Sequence, residues 1–415
     1  MDLLINGQSY NDILLAMAKM YDQDISSIET DIQSIIEEFL AQNYIVKDDK
    51  KDGLVTTTST SFDSNSEKKK CKLSAPIEIN LYPHYICNQR CEFCYVPHAS
   101  DAHAMKEADF YHILHSKGLE NVMSYNILGG EPFLNINLLK YILHTVPSNK
   151  KICISTNGSS AYAPDIVNLL KEYDNLWVQV SLESGIPEEH DNIVNLSGAY
   201  DKAIQFIKTL LLANIHVSVN TVASGNNHEG IIALASELKD MGIPFLSVSL
   251  CYPDKNYTYG DYVNYHDLCN KFDYLREKLQ LLSSNQFEIS MLRENIFVMP
   301  EVRKHQLATS QIPQDFLQCQ GGNVSIEITP NGDIFACGLM IDDSSYLLGN
   351  IFNHSFTDIW NSIQAKEDPA LKIEENCISC AARWACYSAC PLVRKSTKAT
   401  DFCQTHQYWT EQLKF

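Results

Sequence analysis

The strongest constraint on the fold is a regular alternation of strand-like and helix-like segments between residues 76 and 290. Apolar runs typical of buried strands lie at 77–81, 125–128, 151–155, 177–182, 215–222 and 245–251. Apolar residues at helical spacing follow each run, near 104–118, 136–146, 163–173, 198–213, 228–241 and 262–281. Such repeats predict an α/β fold in which parallel strands are covered by helices. Ligands bind folds of this kind at the carboxyl ends of the strands.

Three cysteines, Cys87, Cys91 and Cys94, come shortly after the first predicted strand. Thiolates are the usual protein ligands of iron–sulfur clusters, and three of them leave one iron of a [4Fe–4S] cluster open. An open iron can bind a small chelating molecule. The alternatives are a structural zinc ion or buried thiols. Zinc, however, normally closes a shell of four ligands with paired short spacings.

This C-x3-C-x2-C run, followed by the aromatic Tyr95, resembles the signature of the radical S-adenosylmethionine (radical SAM) enzymes. The resemblance implies that the open iron takes the amino and carboxylate groups of S-adenosylmethionine (SAM). An electron from the reduced cluster would then break a carbon–sulfur bond and release a 5′-deoxyadenosyl radical, which abstracts hydrogen from a substrate. The family has a partial (β/α)6 barrel, and the number of strand–helix repeats agrees with that fold.

Motifs at the ends of later predicted strands resemble the SAM-binding motifs of the same family. The Gly-Gly-Glu-Pro sequence at 129–132 resembles the motif that holds the SAM amino group, and polar residues after the next three strands resemble those that meet its carboxylate, ribose and adenine. The resemblance implies a SAM pocket formed by Tyr95, Gly129, Gly130, Glu131, Pro132, Ser155, Asn157, Ser181, Glu183 and Asn220. For each polar residue, capping of a local turn is the alternative.

Two positions depart from the family pattern on the side of the SAM carboxylate. Glu183 stands where the family usually has Asp, and no Arg follows His190 and Asp191 within residues 192–195.

Seven further cysteines occur near the carboxyl end of the chain, and their spacing resembles the SPASM domain of peptide-modifying radical SAM enzymes. They are Cys319, Cys337, Cys377, Cys380, Cys386, Cys390 and Cys403. The resemblance implies two auxiliary [4Fe–4S] clusters within residues 319–415. One would take the cysteines at 377, 380, 386 and 403, and the other those at 319, 337 and 390. No cysteine lies at 310–318, so the second cluster would have an open iron or a distant ligand such as Cys251 or Cys269.

The same region has one alternative interpretation and one predicted local structure. A zinc ribbon at Cys377 and Cys380 is the alternative to a cluster there, but seven cysteines are an awkward number for zinc sites. Alternating apolar residues around Pro-Asn-Gly-Asp at 330–333 predict a β-hairpin over 324–335.

The remaining segments complete the predicted domain organisation. Residues 1–46 show two helical patterns and a short strand. They resemble the second half of the winged-helix-like peptide-recognition module found on maturases of ribosomally made peptides, and a helical capping subdomain is the alternative. The polar segment 47–75 predicts a flexible linker. Residues 291–318 are expected to bridge the partial barrel at 76–290 and the domain at 319–415.

Charge and composition limit the partners and the location of the chain. The formal net charge of −19 disfavours nucleic acid and anionic lipid surfaces. No apolar stretch approaches the roughly 20 residues that span a bilayer, and the amino terminus lacks the pattern of a signal peptide. We therefore expect a cytoplasmic protein with no membrane partner. Its fourteen cysteines then indicate metal sites rather than disulfides.

These motifs together predict a radical SAM and SPASM enzyme that modifies a ribosomally made precursor peptide by forming a thioether or a carbon–carbon cross-link. The expected partners are that peptide and an electron donor such as flavodoxin or ferredoxin. One alternative is an anaerobic sulfatase-maturating enzyme, which usually lacks a leading helical module. The other is a non-catalytic iron–sulfur redox protein, which needs no SAM pocket. The sequence does not identify a catalytic acid or base.

Overall fold

The computed structural model describes residues 14–15, 25, 29, 33, 45–48, 53–56, 73–97, 104–160, 164–224, 226–251, 265–292, 321–341 and 343–365. The chain divides into two units, residues 1–70 and 71–415, and each is described by itself.

The first unit contains an antiparallel hairpin of β1 (Ile45–Asp48) and β2 (Gly53–Thr56), in which Ile45 lies opposite Thr56. Leu14, in the first predicted helical pattern, is helical and buried. The hairpin places regular structure at residues that the sequence assigned to a flexible linker, so the expectation is wrong for 47–48 and 53–56. Residues 15, 25, 29 and 33 are helical as well, and the remaining residues of the predicted peptide-recognition module lie outside the described residues.

The second unit is built on seven parallel strands joined by helices. The strands are β3 (Glu78–Leu81), β4 (Ser124–Ile127), β5 (Lys151–Thr156), β6 (Leu176–Ser181), β7 (His216–Ala223), β8 (Phe245–Leu250) and β9 (Glu288–Leu292). The helices are α1 (Glu107–Leu114), α2 (Ile136–Thr145), α3 (Pro164–Leu170), α4 (Pro187–Val194), α5 (Ala199–Leu212), α6 (His228–Asp240) and α7 (Tyr265–Gln280). Each strand pairs with the next in sequence, in the order β3 to β9. The six predicted strand–helix repeats are thereby confirmed.

Strand β9 was not predicted, although Phe287, Ile289 and Met291 alternate with polar residues as in a strand with one buried face. The segment is short, and its partner β8 lies about forty residues earlier, so its pairing is not visible in the local pattern. Helix α4 was also not predicted. It begins at Pro187, with Glu188 and Glu189 in its first turn, which suits the positive end of the helix dipole.

The predicted hairpin at 324–335 is confirmed, and it joins the barrel sheet. Strand β10 (Ser325–Ile328) turns back into β11 (Asp333–Phe335), which pairs with β12 (Gly349–Asn350). On its other side β10 runs parallel to β3, with Ile326 opposite Ile79. The ten strands therefore form one sheet in the order β12-β11-β10-β3-β4-β5-β6-β7-β8-β9.

The two faces of the sheet differ in polarity. Residues pointing toward the helices are apolar and fully buried, as Ile79, Ile154 and Val219 are. They share one core with apolar residues of the helices, including Phe110 and Leu234. The alternate positions form the opposite face, which we call the inner face. It carries mainly amide and hydroxyl side chains. Parallel sheets are usually apolar on both faces, so the inner face is built to meet water or a polar ligand.

Among the described helices, none combines the length and the apolar character needed to cross a lipid bilayer.

Helix α8 (Phe356–Ala365) anchors the carboxyl-terminal hairpin region to the start of the barrel. The Trp360 side chain is fully buried, and its Nε1 donates a hydrogen bond to the carbonyl oxygen of Leu73 at 2.8 Å. The ring also stacks on Phe356 with 6.3 Å between centroids.

We expect Trp360→Ala to lower the free energy of unfolding by about 3–5 kcal/mol, because it leaves a cavity and an unpaired carbonyl. Leu212→Ala is the matched control, since Leu212 is 87% exposed on α5, and it should change stability by less than about 0.5 kcal/mol. Urea unfolding of both variants gives the comparison. Equal midpoints for the two would show that α8 does not stabilise the unit.

Candidate active site

The loop that carries Cys87, Cys91 and Cys94 follows β3 and is held by the end of helix α4. The last carbonyls of a helix have no partner within it. Here Val194 accepts a hydrogen bond from the backbone N–H of Arg90 at 3.0 Å, and Ile193 accepts one from Glu92 at 3.1 Å. The loop therefore satisfies two of the free carbonyl groups at the end of α4, and these hydrogen bonds hold it against that helix.

The three thiols are half-buried and lie close enough to influence one another. Burial raises the pKa of the Cys87 thiol. Burial also raises the pKa of Cys91, and the negative charges of Glu183, Cys94 and Cys87 add to this effect. Thiols in such surroundings need a metal to hold them as thiolates.

Donors already point at the first sulfur of this group. The backbone N–H of Gln89 lies 3.4 Å from Cys87 Sγ, and Asn157 Nδ2 lies 3.8 Å from the same atom. Within the described residues, no three Cys, His, Asp or Glu side chains converge on a single ion. A cluster does not require such convergence, because each cysteine binds a different iron. Three half-buried thiols on one loop, with donors at one sulfur, therefore fit a [4Fe–4S] cluster.

The glycines after β4 allow two backbone segments to meet. Gly129 has φ of +118°, and the N–H of Gly130 donates to the carbonyl oxygen of His84 at 2.9 Å. A Cβ atom at Gly130 would lie 2.1 Å from the carbonyl oxygen of Ile86. The two glycines thus bring the end of β4 into close contact with the segment that leads into Cys87.

The Glu131 carboxylate is fully buried and already has three donors. It accepts hydrogen bonds from the backbone of Phe133 at 3.1 Å, from Thr156 Oγ1 at 2.8 Å and from the backbone of Asn157 at 2.8 Å. Burial raises its pKa to about 7, although these bonds oppose the shift. The side chain joins the end of β4 to the end of β5. A carboxylate accepts about four hydrogen bonds, so Glu131 keeps acceptor capacity beyond these three donors.

The end of β5 is tied to the cysteine loop by amide and hydroxyl groups. Asn157 Nδ2 donates to Asn88 Oδ1 at 2.9 Å, and Asn88 Nδ2 donates to Ser159 Oγ at 2.8 Å. Sequence reasoning missed Asn88 and Ser159. Their only signal was their position beside Cys87 and Asn157, which does not separate them from ordinary loop residues.

Glu183 is buried and links β6 to β7. Its carboxylate accepts a hydrogen bond from the backbone of Val222 at 2.7 Å, and burial raises its pKa to about 8. Its backbone N–H donates to His190 Nδ1 at 3.1 Å, and its carbonyl accepts from Asn227 Nδ2 at 2.8 Å. Asn227 was not predicted.

His190 and Asp191 are both engaged in the structure around helices α4 and α5. Burial lowers the pKa of His190 to about 4. The Asp191 carboxylate accepts hydrogen bonds from the backbone of Gly198 at 2.5 Å and of Tyr200 at 2.9 Å, at the start of α5. Asp191 therefore caps the turn at the start of α5.

Three other predicted SAM-pocket residues lie half-buried on the inner face. Ser181 and Asn220 are paired across β6 and β7, and Ser155 Oγ lies 3.4 Å from Gln179 Oε1. Asn220 Oδ1 accepts a hydrogen bond from Ser249 at 3.3 Å. The donors and acceptors that these contacts leave unused can bind a ligand at the carboxyl ends of the strands.

Tyr95 points toward the carboxyl-terminal hairpin. Its hydroxyl lies 3.2 Å from that of Tyr82, and Tyr82 donates to the buried Glu327 at 2.8 Å. A Cβ atom at Gly338 would lie 2.9 Å from the Tyr95 ring, so the ring packs on the residue after Cys337. Tyr95 therefore connects the cysteine loop with Cys337. The other six cysteines of the second group lie outside the described residues.

Comparison with known proteins agrees with this geometry. Residues 81–238 match the profile of the radical SAM superfamily, and residues 319–390 match that of SPASM, an iron–sulfur cluster-binding domain. Residues 81–238 are therefore a radical SAM domain, the kind of domain that uses a [4Fe–4S] cluster with SAM, and residues 319–390 are a SPASM domain, which binds auxiliary iron–sulfur clusters.

Individual relatives are distant. The antilisterial bacteriocin subtilosin biosynthesis protein AlbA of Bacillus subtilis is 25% identical over 278 residues, which cover 66% of this chain and 57% of AlbA. The mycofactocin maturase MftC of Mycobacterium tuberculosis is 24% identical, over 77% of this chain and 79% of MftC. The crystal structure of Streptococcus suis SuiB bound to precursor peptide SuiA has a TM-score of 0.65 at 21% identity, over 80% of this chain and 75% of SuiB. That likeness supports the fold.

We expect Gly130→Ala to destabilise the second unit by about 1–3 kcal/mol, because the added Cβ meets backbone that cannot move aside. The loop should also lose its ability to hold iron. Gly242→Ala is the control, since a Cβ at Gly242 meets nothing within 4 Å and its left-handed φ alone costs about 1 kcal/mol. Iron content and urea unfolding are measured on both. Full iron loading of Gly130→Ala would contradict the packing argument.

The buried Glu327 should make stability depend on pH. Burial raises its pKa to about 7, so the folded state keeps a proton that the unfolded state releases above about pH 4.5. The wild type should therefore lose stability relative to Glu327→Gln as pH rises from about 5 to 7, by on the order of 2 kcal/mol. Denaturant midpoints of both proteins across this range test the effect. Parallel curves would show that Glu327 is ionised in the folded state.

Proposed function

We propose that this enzyme modifies a ribosomally made precursor peptide by forming a thioether or a carbon–carbon cross-link. The observation that carries the proposal is the position of Cys87, Cys91 and Cys94. They lie at the carboxyl ends of strands whose inner face is polar and half-open. A reaction centre there adjoins a row of polar side chains that can bind a peptide as well as SAM.

When bound, the cluster and SAM supply a 5′-deoxyadenosyl radical that takes hydrogen from a substrate. The protein's own residues position this chemistry. The carbonyls of α4 and the Gly130 backbone fix the cysteine loop. Ser155, Ser181 and Asn220 offer hydroxyl and amide groups at the adjoining strand ends, where we propose that they contact SAM.

The residues proposed to contact SAM fall into two groups. Ser155, Ser181 and Asn220 are half-buried, and we propose that they contact SAM directly. Glu131 and Glu183 are buried, and each joins two neighbouring strands. We propose that these two carboxylates shape the pocket and that the backbone at Gly129 and Gly130 meets the SAM amino group.

The names of the relatives support a peptide substrate. AlbA takes part in the biosynthesis of the bacteriocin subtilosin, MftC is a mycofactocin maturase, and the SuiB structure contains a precursor peptide. Tyr95 contacts Gly338, the residue after Cys337, and this contact brings the cysteine loop beside a SPASM cysteine. Such proximity supports a reaction that uses both the SAM-binding cluster and an auxiliary cluster. We propose a small redox protein such as flavodoxin or ferredoxin as the electron donor.

The test is anaerobic co-expression with the products of short open reading frames beside the gene, followed by peptide mass measurement. Cross-linking removes one hydrogen from each of the two joined atoms, and fragmentation shows whether sulfur is involved. The triple variant Cys87→Ala, Cys91→Ala, Cys94→Ala should leave the peptide unchanged and should not cleave SAM, while iron bound at the carboxyl-terminal cysteines remains.

Cys71→Ala is the matched control, because neither predicted cysteine group includes this residue. It should modify the peptide as the wild type does. SAM cleavage by the triple variant at the rate of the parent would overturn the site assignment. An unchanged peptide mass with active SAM cleavage by the wild type would overturn the cross-linking reaction.

A further inference from the structure

The inner face of β5, β6 and β7 carries polar side chains in rows that cross the strands. The row nearest the amino ends contains Cys153, Trp177 and His216, which are paired in register. The next row contains Ser155, Gln179 and Ser218. The third, at the carboxyl ends of β6 and β7, contains Ser181 and Asn220 and continues to Ser247 on β8.

Seven of these side chains remain accessible along the length of the strands. His216 is exposed, and the other six are half-buried, namely Ser155, Trp177, Gln179, Ser181, Ser218 and Asn220. The inside of a closed (β/α)8 barrel is filled by layers of branched apolar side chains, which leave no such path. An accessible path therefore runs from the amino ends of these strands to the candidate SAM pocket.

A cavity of about 420 Å³ opens at the amino-terminal end of this path. Trp177 and His216 line it, and so do Gln179 and Ser218 of the second row. Gln179 shares a contact of 3.4 Å with Ser155, a predicted SAM-pocket residue. The cavity thus reaches the row that adjoins the reaction centre, although ligands normally bind such folds at the opposite edge.

Ser247 indicates that the third row is incomplete without a ligand or water. Its side chain is 2% exposed, and its Oγ atom has no hydrogen-bond partner in the described part of the chain. It lies on the inner face opposite Asn220. An unsatisfied buried hydroxyl is unfavourable, so a polar group at this position is expected.

The chemistry of the rows specifies what fits. The second and third rows contain only hydroxyl and amide side chains, which match the donors and acceptors of a peptide backbone. A charged side chain there would lose its hydration without gaining a counter-ion. Two charged residues, Lys151 and Asp174, line the mouth of the cavity.

We propose that the precursor peptide enters through the cavity at the amino ends of β5–β8 and lies along the inner face as an extended, uncharged segment. The inference rests on the proposed function for the identity of the peptide. From Trp177 to Ser181 the strand advances about 13 Å, at roughly 3.3 Å per residue, so about four extended peptide residues span the path. The segment would present its leading residue to the candidate SAM pocket.

The first test is photocross-linking with the peptides encoded by the neighbouring short reading frames, made synthetically. His216→p-benzoylphenylalanine places the photoreactive group at the cavity mouth, where the exposed His216 tolerates replacement. Leu212→p-benzoylphenylalanine is the control, on the exposed surface of α5. We expect a cross-link from position 216 and none from 212. Absence of a cross-link from 216 to any of the peptides would overturn the proposal.

The second test blocks the proposed path with a large side chain. Ser218→Phe should weaken the peptide's affinity, measured by fluorescence anisotropy, by roughly tenfold or more, the equivalent of one buried hydrogen bond lost. Ser345→Phe, at an exposed position, is the control, and thermal unfolding shows whether both variants fold. Unchanged affinity of folded Ser218→Phe would overturn the proposal.

Failure of the proposed function looks different. In that case position 216 cross-links a peptide whose mass the wild-type enzyme never changes. The binding path would then stand, and the maturase reaction would not.

Discussion

The close backbone contact between Gly130 and Ile86 is the constraint on which the site depends. Because Gly130 has no side chain, the end of β4 can lie directly on the segment that leads into Cys87. A Cβ atom at this position would overlap the backbone of Ile86. The same turn places Glu131 where its carboxylate binds the end of β5. The cysteine loop, β4 and β5 therefore hold one another in position. Loss of this contact would release the loop from the strand ends that carry the predicted SAM ligands.

The second constraint is the difference between the two faces of the sheet. The face of the sheet that the helices cover supplies the buried apolar area that stabilises the unit. Residues there, such as Ile154 and Val219, are fully removed from water. The inner face is thereby free to carry polar groups, which would be costly in a core packed on both sides. Stability and ligand binding are thus separated by the alternation of side chains along each strand.

The strands and the cysteine loop could be predicted from sequence because their signals are local. Alternating or continuous apolar runs identify β3 to β8, and turn residues identify the β10–β11 hairpin. Pairing of β10 with β3 could not be predicted, because the two strands are separated by more than two hundred residues and no local pattern specifies a partner. The hydrogen bonds that the carboxylates of Glu131 and Asp191 accept could not be predicted for a similar reason. A polar residue after a strand can bind a ligand, cap a helix or join two strands, and only its neighbours in space decide.

The pairing of β10 with β3 also explains why the SPASM region belongs to the barrel. A partial barrel leaves strand edges, and an open edge exposes unpaired backbone groups that favour association. Strand β10 covers the β3 edge and brings Glu327 beside Asn80, which donates to its carboxylate at 2.8 Å. Glu327 in turn orients Tyr82, whose hydroxyl meets that of Tyr95 next to Cys94. Strand β10, which pairs with the edge of β3, therefore also carries Glu327, the residue that links it to Tyr82 and Tyr95. Through these hydrogen bonds the pairing of the two strands helps to position Cys337 relative to the cysteine loop.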